Sequence, residues 1–282
     1  MAKANHVAIK SSGTENNGTP VICLANLSRR FGGLLAVDNL NLTITPGESF
    51  GLLGPNGAGK TTVIKMLTTI LPPSSGEATV AGFSITRNDS DVRRVIGYVP
   101  QVLSADSSLT GYENLLVFAG LYNVPASARR ERILDAMRFM GLDGAAHRLV
   151  RTYSGGMIRR LEIAQSIMHR PRILFLDEPT VGLDPIARKA VWEIVTELRR
   201  NHGTTLFITT HFMEEADSLC SRVAIMHRGK TVALGTPAAL KATVSPKATL
   251  EDVFIHYTGD SLASTEGYSD TARTRRAANR LG

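Results

Sequence analysis

Polar residues dominate positions 1–20, where Ser, Gly, Asn and Thr recur, and this stretch is expected to be disordered. From Val21 the pattern changes. Val21-Ile22-Cys23-Leu24 is a short apolar run, and residues 36–44 alternate apolar and polar side chains as a half-buried strand does. Pro46-Gly47-Glu48 turns the chain into the run Phe50-Gly51-Leu52-Leu53, and Val63, Ile64, Met66 and Leu67 then follow helical spacing. After Pro72-Pro73-Ser74-Ser75-Gly76, short strands are expected at 77–80 and 82–85, then an apolar strand over 95–101 ending on Pro100 and Gln101. Thr110 with Glu113 makes a capping box, opening a helix whose apolar face would be Leu115, Leu116, Phe118, Ala119 and Tyr122. A second helix runs from about 127 to 140, with Ile133, Leu134, Met137 and Met140 on one side and Gly141 as its stop. A third follows Ser154-Gly155-Gly156, with Ile158, Leu161, Ala164 and Met168 in register, so residues 102–165 read as an all-helical insertion. Ile173-Leu174-Phe175-Leu176 is continuously apolar, as a strand buried in a parallel sheet is, and ends on Asp177 and Glu178. A helix over 186–200, a buried strand over 205–210 ending at His211, and a strand pair at 223–227 and 231–234 complete the pattern, and beyond 245 only 250–257 looks ordered.

The residues between the strand at 50–53 and the helix after it carry the clearest chemistry. Gly54-Pro55-Asn56-Gly57-Ala58-Gly59-Lys60-Thr61-Thr62 fits G-x-x-x-x-G-K-[ST] in its strand–loop–helix context. Such a loop turns backbone N–H groups inward to hold phosphate oxygens, and the following helix N-terminus adds donors and partial positive charge. Lys60 would reach the β- and γ-phosphates and Thr61 would place its hydroxyl on Mg²⁺. Ser-Gly-Gly before a helix is a second anion-binding arrangement, though also a common flexible turn. Carboxylates at the C-terminal end of a buried strand lie where open α/β sheets bind ligands. Phe31, expected between the first two strands in Arg29-Arg30-Phe31-Gly32-Gly33, is either an aromatic platform or a core residue.

Composition narrows the class. No apolar run reaches the roughly 18 residues that span a bilayer, and residues 1–20 lack the apolar region of a secretory signal. Cys23 and Cys220 stand without partners at zinc spacing and are expected to be buried thiols in a reducing compartment. The net charge of +7 permits contact with nucleic acid or an anionic membrane face. Its tail component, Arg273, Arg275, Arg276 and Arg280, lacks interleaved aromatics, so no specific nucleic-acid binding is expected.

Over roughly residues 21–240 the chain resembles the ATP-binding subunit of the ABC transporter family. Residues 54–62 match the Walker A loop, Ile173–Pro179 the Walker B strand, Gln101 the Q-loop glutamine, Gly182-Leu183-Asp184 the D-loop and His211 the switch histidine. Tyr153-Ser154-Gly155-Gly156-Met157 stands in for the LSGGQ signature, with Tyr153 and Met157 replacing its leucine and glutamine. The fold implied is α/β: a P-loop NTPase core with a mostly parallel sheet, an antiparallel β subdomain and an all-helical insertion. The domain would span 21–245, followed by a partly disordered tail over 246–282. The resemblance further implies ATP and Mg²⁺ as cofactors, Phe31 stacking on adenine, and Asp177, Thr61 and Gln101 at the metal. Glu178 would be the general base, with Gln101 and His211 assisting; Ser154, Gly155, Gly156 and Asp184 would act across a homodimer interface. A separate integral-membrane permease would dock near residues 101–109 and hold the subunit at the cytoplasmic face of the membrane. The residues at 209–217 and 249–254 look like the branch that exports drugs, lipids or oligosaccharides. An importer subunit, or a soluble ATPase acting on nucleic acid or ribosomes, remain as alternatives.

Overall fold

The computed structural model describes residues 19–259; the stretch 1–18 and the arginine cluster of the tail lie outside the described residues. Two sheets organise the chain. β1 (Ile22–Phe31), β2 (Leu34–Ile44), β4 (Ser75–Val80) and β5 (Phe83–Ser84) form an antiparallel sheet in the order β2-β1-β4-β5. The second sheet has the order β10-β9-β3-β8-β7-β6, built from β3 (Ser49–Leu53), β6 (Ile96–Val99), β7 (Ile173–Asp177), β8 (Thr205–Thr210), β9 (Arg222–His227) and β10 (Lys230–Gly235). Its pairings are parallel except for the β9–β10 hairpin.

The central strands are apolar on both faces because each face has its own core. Phe50, Leu52, Phe175, Phe207 and Ala224 point toward α1 (Lys60–Leu67) and the antiparallel sheet. Their neighbours Leu53, Leu174, Leu176, Leu206, Ile208, Val223 and Ile225 point into a core shared with the helices on the other side. The period-two alternation of side chains thus serves two layers. Phe50, Phe207 and Phe175 are in register across three strands, with ring centroids 5.5 and 5.4 Å apart.

Between β6 and β7 the chain forms α3 (Gly111–Leu121), α4 (Ala126–Phe139), two short 3-10 turns and α5 (Gly155–Ile167). The Thr110 capping box is present in full: its hydroxyl accepts from the Glu113 amide and Glu113 accepts from the Thr110 amide. α6 (Pro185–His202) is capped by the Asp184 side chain and stopped by Gly203 in the left-handed region. Three short helices, α2 (Asp89–Val95), α7 (Met213–Leu219) and α8 (Pro237–Ala242), lie where no helix is expected from the sequence, and α9 (Leu250–Thr258) closes the described chain.

Several expectations are corrected. Val95 ends α2 rather than starting a strand, because β6 pairs with β7 only from Ile96. Phe31 ends β1 instead of lying between strands. Leu116 faces outward from α3, whose buried side runs through Leu115 and Ala119. Of the two thiols, Cys220 is buried but Cys23 is only half-buried.

Candidate functional site

The phosphate loop sits between the C-terminal end of β3 and α1. Gly54 accepts no side chain, since a Cβ there would lie 2.2 Å from the Met226 carbonyl oxygen. Gly59 has φ +106°, and a Cβ would meet the Ala36 carbonyl oxygen at 2.4 Å. Both glycines let the loop pack closely on β2 and β9, which fixes its outer rim. No side chain caps the N-terminus of α1 and no acidic residue lies in its first turn, so its backbone donors face the cleft. The cleft holds about 460 Å³ and is lined by Phe31, Asn56, Gly57, Lys60, Thr61, Thr62, Gln101 and Glu178, among others. Phe31 is 43% exposed at its edge, with the Arg29 guanidinium 4.7 Å from the ring centroid. Pro55 and Ala58 are buried beneath the loop.

Charged groups converge at the cleft floor. The buried Lys60 ammonium donates to the carbonyls of Gly54 at 2.7 Å and Pro55 at 3.0 Å, and pairs with Glu178 Oε1 at 3.0 Å. Gln101 Nε2 donates to Glu178 Oε2 at 3.1 Å. His211 Nδ1 lies 3.3 Å from the same oxygen. Glu178 itself adopts φ +48°, a conformation costly for a non-glycine residue and typical of strained functional positions. Burial pushes the Glu178 pKa up, but His211 and Lys60 outweigh it and hold the carboxyl below its ordinary value. Burial likewise lowers the Lys60 pKa, against the charges of Glu178 and Asp177.

Asp177 is in the opposite state. Burial raises its pKa despite hydrogen bonds from Thr209 at 2.5 Å and Thr61 at 3.2 Å. A desolvated carboxylate bonded to the Thr61 hydroxyl fits Mg²⁺, which takes one or two protein oxygens and completes its shell with phosphate and water. No group of three or more His, Cys, Asp or Glu side chains suited to a metal exists among the described residues.

The remaining candidates lie elsewhere. Ser154 caps α5 by accepting from the Met157 amide, and Asp184 caps α6 by accepting from the Ala187 amide at 2.9 Å. Ser154, Gly156 and Asp184 line a second cleft with Arg160, Ile186, Ala187 and Ala190, sharing no residue with the first. Gly155 is exposed beside it. Sequence reasoning missed Glu215: it is fully buried on α7, four residues after His211, and accepts from Thr180 at 2.8 Å and Trp192 at 3.0 Å. A charged residue in a polar run, Met213-Glu214-Glu215-Ala216-Asp217, carries no periodic sign of such burial.

A glycine-rich loop opening a helix at the C-terminal edge of a parallel sheet, with an acidic strand end beside it, defines a P-loop nucleotide-binding domain. Residues 37–181 match the family model described as ABC transporter, and the chain belongs to the ATP-binding subunits of that family, ATPases that use ATP with Mg²⁺. It is 45% identical over 226 residues to the daunorubicin/doxorubicin resistance ATP-binding protein DrrA of Streptomyces peucetius, covering 80% of this chain and 68% of that one. It is 42% identical over 215 residues to Nod factor export ATP-binding protein I of Burkholderia lata, covering 76% of this chain and 70% of that one. A dimeric ATP-binding cassette solved in a post-hydrolysis state with ADP and Pi superposes with TM-score 0.69 at 26% identity, covering 76% of this chain and 98% of that one. No described helix is long and apolar enough to cross a membrane.

Proposed function

We propose that this chain energises a membrane exporter as a symmetric head-to-tail homodimer that closes on ATP and reopens after hydrolysis. One observation carries the reading: the phosphate-loop cleft and the Ser154–Asp184 cleft are separate on one chain, which supports enclosure of each nucleotide by the second cleft of another copy. Phe31 would stack on the base, and residues 54–62 would hold the phosphates through the loop amides and Lys60. Mg²⁺ held by Asp177 and Thr61, with Gln101 nearby, would neutralise phosphate charge. Glu178, released from Lys60 when the phosphates engage that ammonium, would take the proton of the attacking water as its oxygen bonds the γ-phosphorus and the bond to ADP breaks. His211 would orient the same water and phosphate. Ser154, Gly155, Gly156 and Asp184 would close the site from the partner copy.

The proposed docking site for a permease is the segment 101–109, where Val102 and Leu103 are exposed; α3 adds the exposed apolar side chains Leu116, Val117 and Leu121. Such docking would place the subunit at the cytoplasmic face of the membrane. The names of the drug-resistance and Nod-factor relatives support export of an amphiphilic drug, lipid or oligosaccharide-like cargo.

The test is Glu178→Gln with ATP and Mg²⁺. Turnover is expected to vanish while size-exclusion chromatography shows a dimer that disappears when ADP replaces ATP. A monomer in ATP would sink the closure mechanism.

A further inference from the structure

α5 presents three polar side chains at i, i+3 and i+6, Arg159, Glu162 and Gln165, all on its buried side. A buried face normally carries apolar residues, so these three need an explanation other than solvation. Arg159 Nη1 donates to the Pro100 carbonyl at 2.7 Å and to Glu162 Oε2 at 2.9 Å, and its Nη2 donates to the Gln101 carbonyl at 2.8 Å. Glu162 Oε1 accepts from the Ser104 amide, and from its hydroxyl at 3.2 Å. Gln165 donates at 3.2 Å to Asn114, whose amide group both accepts from and donates to the Asp106 backbone. One helix face therefore satisfies the backbone of the loop on both sides of Gln101. The helix that does so is the one whose N-cap is Ser154.

We propose that Arg159 and Glu162 are positioning residues that make the Gln101 loop and the Ser154–Gly156 segment one rigid body. Resting on the head-to-tail reading above, this gives each protomer a mechanical link between two nucleotides. Gln101 faces the protomer's own site, and Ser154 faces the partner's. Engagement of Gln101 at one site presents the Ser154 segment to the other, and its withdrawal retracts that segment. The guanidinium fork is essential, because only its planar geometry bonds two successive carbonyls and a carboxylate together.

Two variants separate positioning from charge burial. Arg159→Lys keeps the ion pair with Glu162 but cannot span both carbonyls; Arg159→Gln/Glu162→Gln removes both buried charges together, leaving neither unpaired. In both, amides at 101–106 are expected to exchange hydrogen at least tenfold faster, ATP affinity to stay within twofold, and kcat per folded molecule to fall at least tenfold. Protection of 154–158 by ATP should be lost while protection of the phosphate loop persists. Wild-type exchange at 101–106 with wild-type kcat in both variants would overturn the proposal, as would a loss of ATP affinity equal to the loss of kcat. The Glu178→Gln protein in ATP distinguishes failure of the dimer reading: if it stays monomeric that reading fails, and exchange at 101–106 in the monomer alone then decides for or against the rigid link.

Discussion

Three groups, Lys60, His211 and Gln101, reach the carboxylate of Glu178, and Lys60 is the one a nucleotide would claim. Without phosphate the ammonium and the carboxylate satisfy each other, so binding must exchange one buried partner for another. Glu178→Gln weakens the pair that has to be broken. We therefore predict that ADP, which lacks the phosphate needed for closure, binds this variant about 10-fold more tightly, equivalent to ~1.4 kcal/mol. Calorimetric titration checks this, and an unchanged Kd would show that the Lys60–Glu178 pair imposes no cost on binding. Glu215 allows a pH test with the opposite polarity to Glu178. Burial raises its pKa despite the hydrogen bonds that Thr180 and Trp192 donate to Oε1, and its Oε2 has no partner. An acid with a raised folded pKa costs no stability below its unfolded pKa, and the cost grows as pH climbs from there toward the folded value. Glu215→Gln keeps an oxygen for Thr180 and Trp192 and removes the charge. Its Tm relative to wild type should rise between pH 4.5 and 8, by the equivalent of about 1–3 kcal/mol. A pH-independent difference would mean that Glu215 titrates alike in the folded and unfolded chain, as a solvated carboxyl does.

At the scale of elements, α3 joins the outward apolar surface to the segment that carries Ser154. Tyr153 is almost fully buried, its hydroxyl donates to the Ala145 carbonyl at 2.7 Å, and a Cβ on Gly111 would lie 2.3 Å from that hydroxyl. The tyrosine that departs from the usual signature leucine is thus accommodated by a glycine at the first position of α3. Gly111→Ala should destabilise the protein by roughly 1–3 kcal/mol through overpacking. Tyr153→Phe should cost about 1 kcal/mol for its hydrogen bond. Because the phenylalanine removes the clashing oxygen, the double variant should be more stable than the sum of the two losses, and a denaturation cycle measures the difference. Additive losses would show that α3 and the Tyr153 turn are uncoupled.

Elements of this kind mark how far the sequence could be read. Strands such as β7 and β8 were legible because both faces are buried and their apolar runs are unbroken. The capping box announced α3 through two side chains alone. α2, α7 and α8 were not legible: each has seven residues or fewer, too short for a 3.6-residue period to repeat, and each exists because tertiary packing holds it. The glycine-rich loop and the acidic strand end were visible as local strings. The contacts that Arg159 and Glu162 make with the Gln101 loop join residues almost sixty positions apart and read locally as an exposed, charged helix face.

The two clefts share no residue, and because the proposed dimer makes each of them half of a site, complementation between damaged copies is a decisive measurement. Lys60→Ala removes the buried ammonium from the phosphate-loop cleft and leaves the Ser154 cleft intact. Ser154→Arg fills the second cleft with a long cation and leaves the phosphate loop intact, while also removing the N-cap of α5 at a cost of about 1 kcal/mol. Alone, a head-to-tail dimer of either variant would have both composite sites defective. Mixed head to tail, they form a heterodimer with one site damaged twice and the other assembled from undamaged halves. With Glu178→Gln added to both chains so that nucleotide is not consumed, each variant alone is expected to retain no occluded ATP. The mixture should retain one ATP per two protomers, in a species that size-exclusion chromatography places at the dimer position. Occlusion by Ser154→Arg alone would show that the second cleft does not contribute. A mixture that occludes nothing would exclude the head-to-tail arrangement, because any assembly pairing the phosphate loop of one chain with the Ser154 segment of the other must rebuild one complete site.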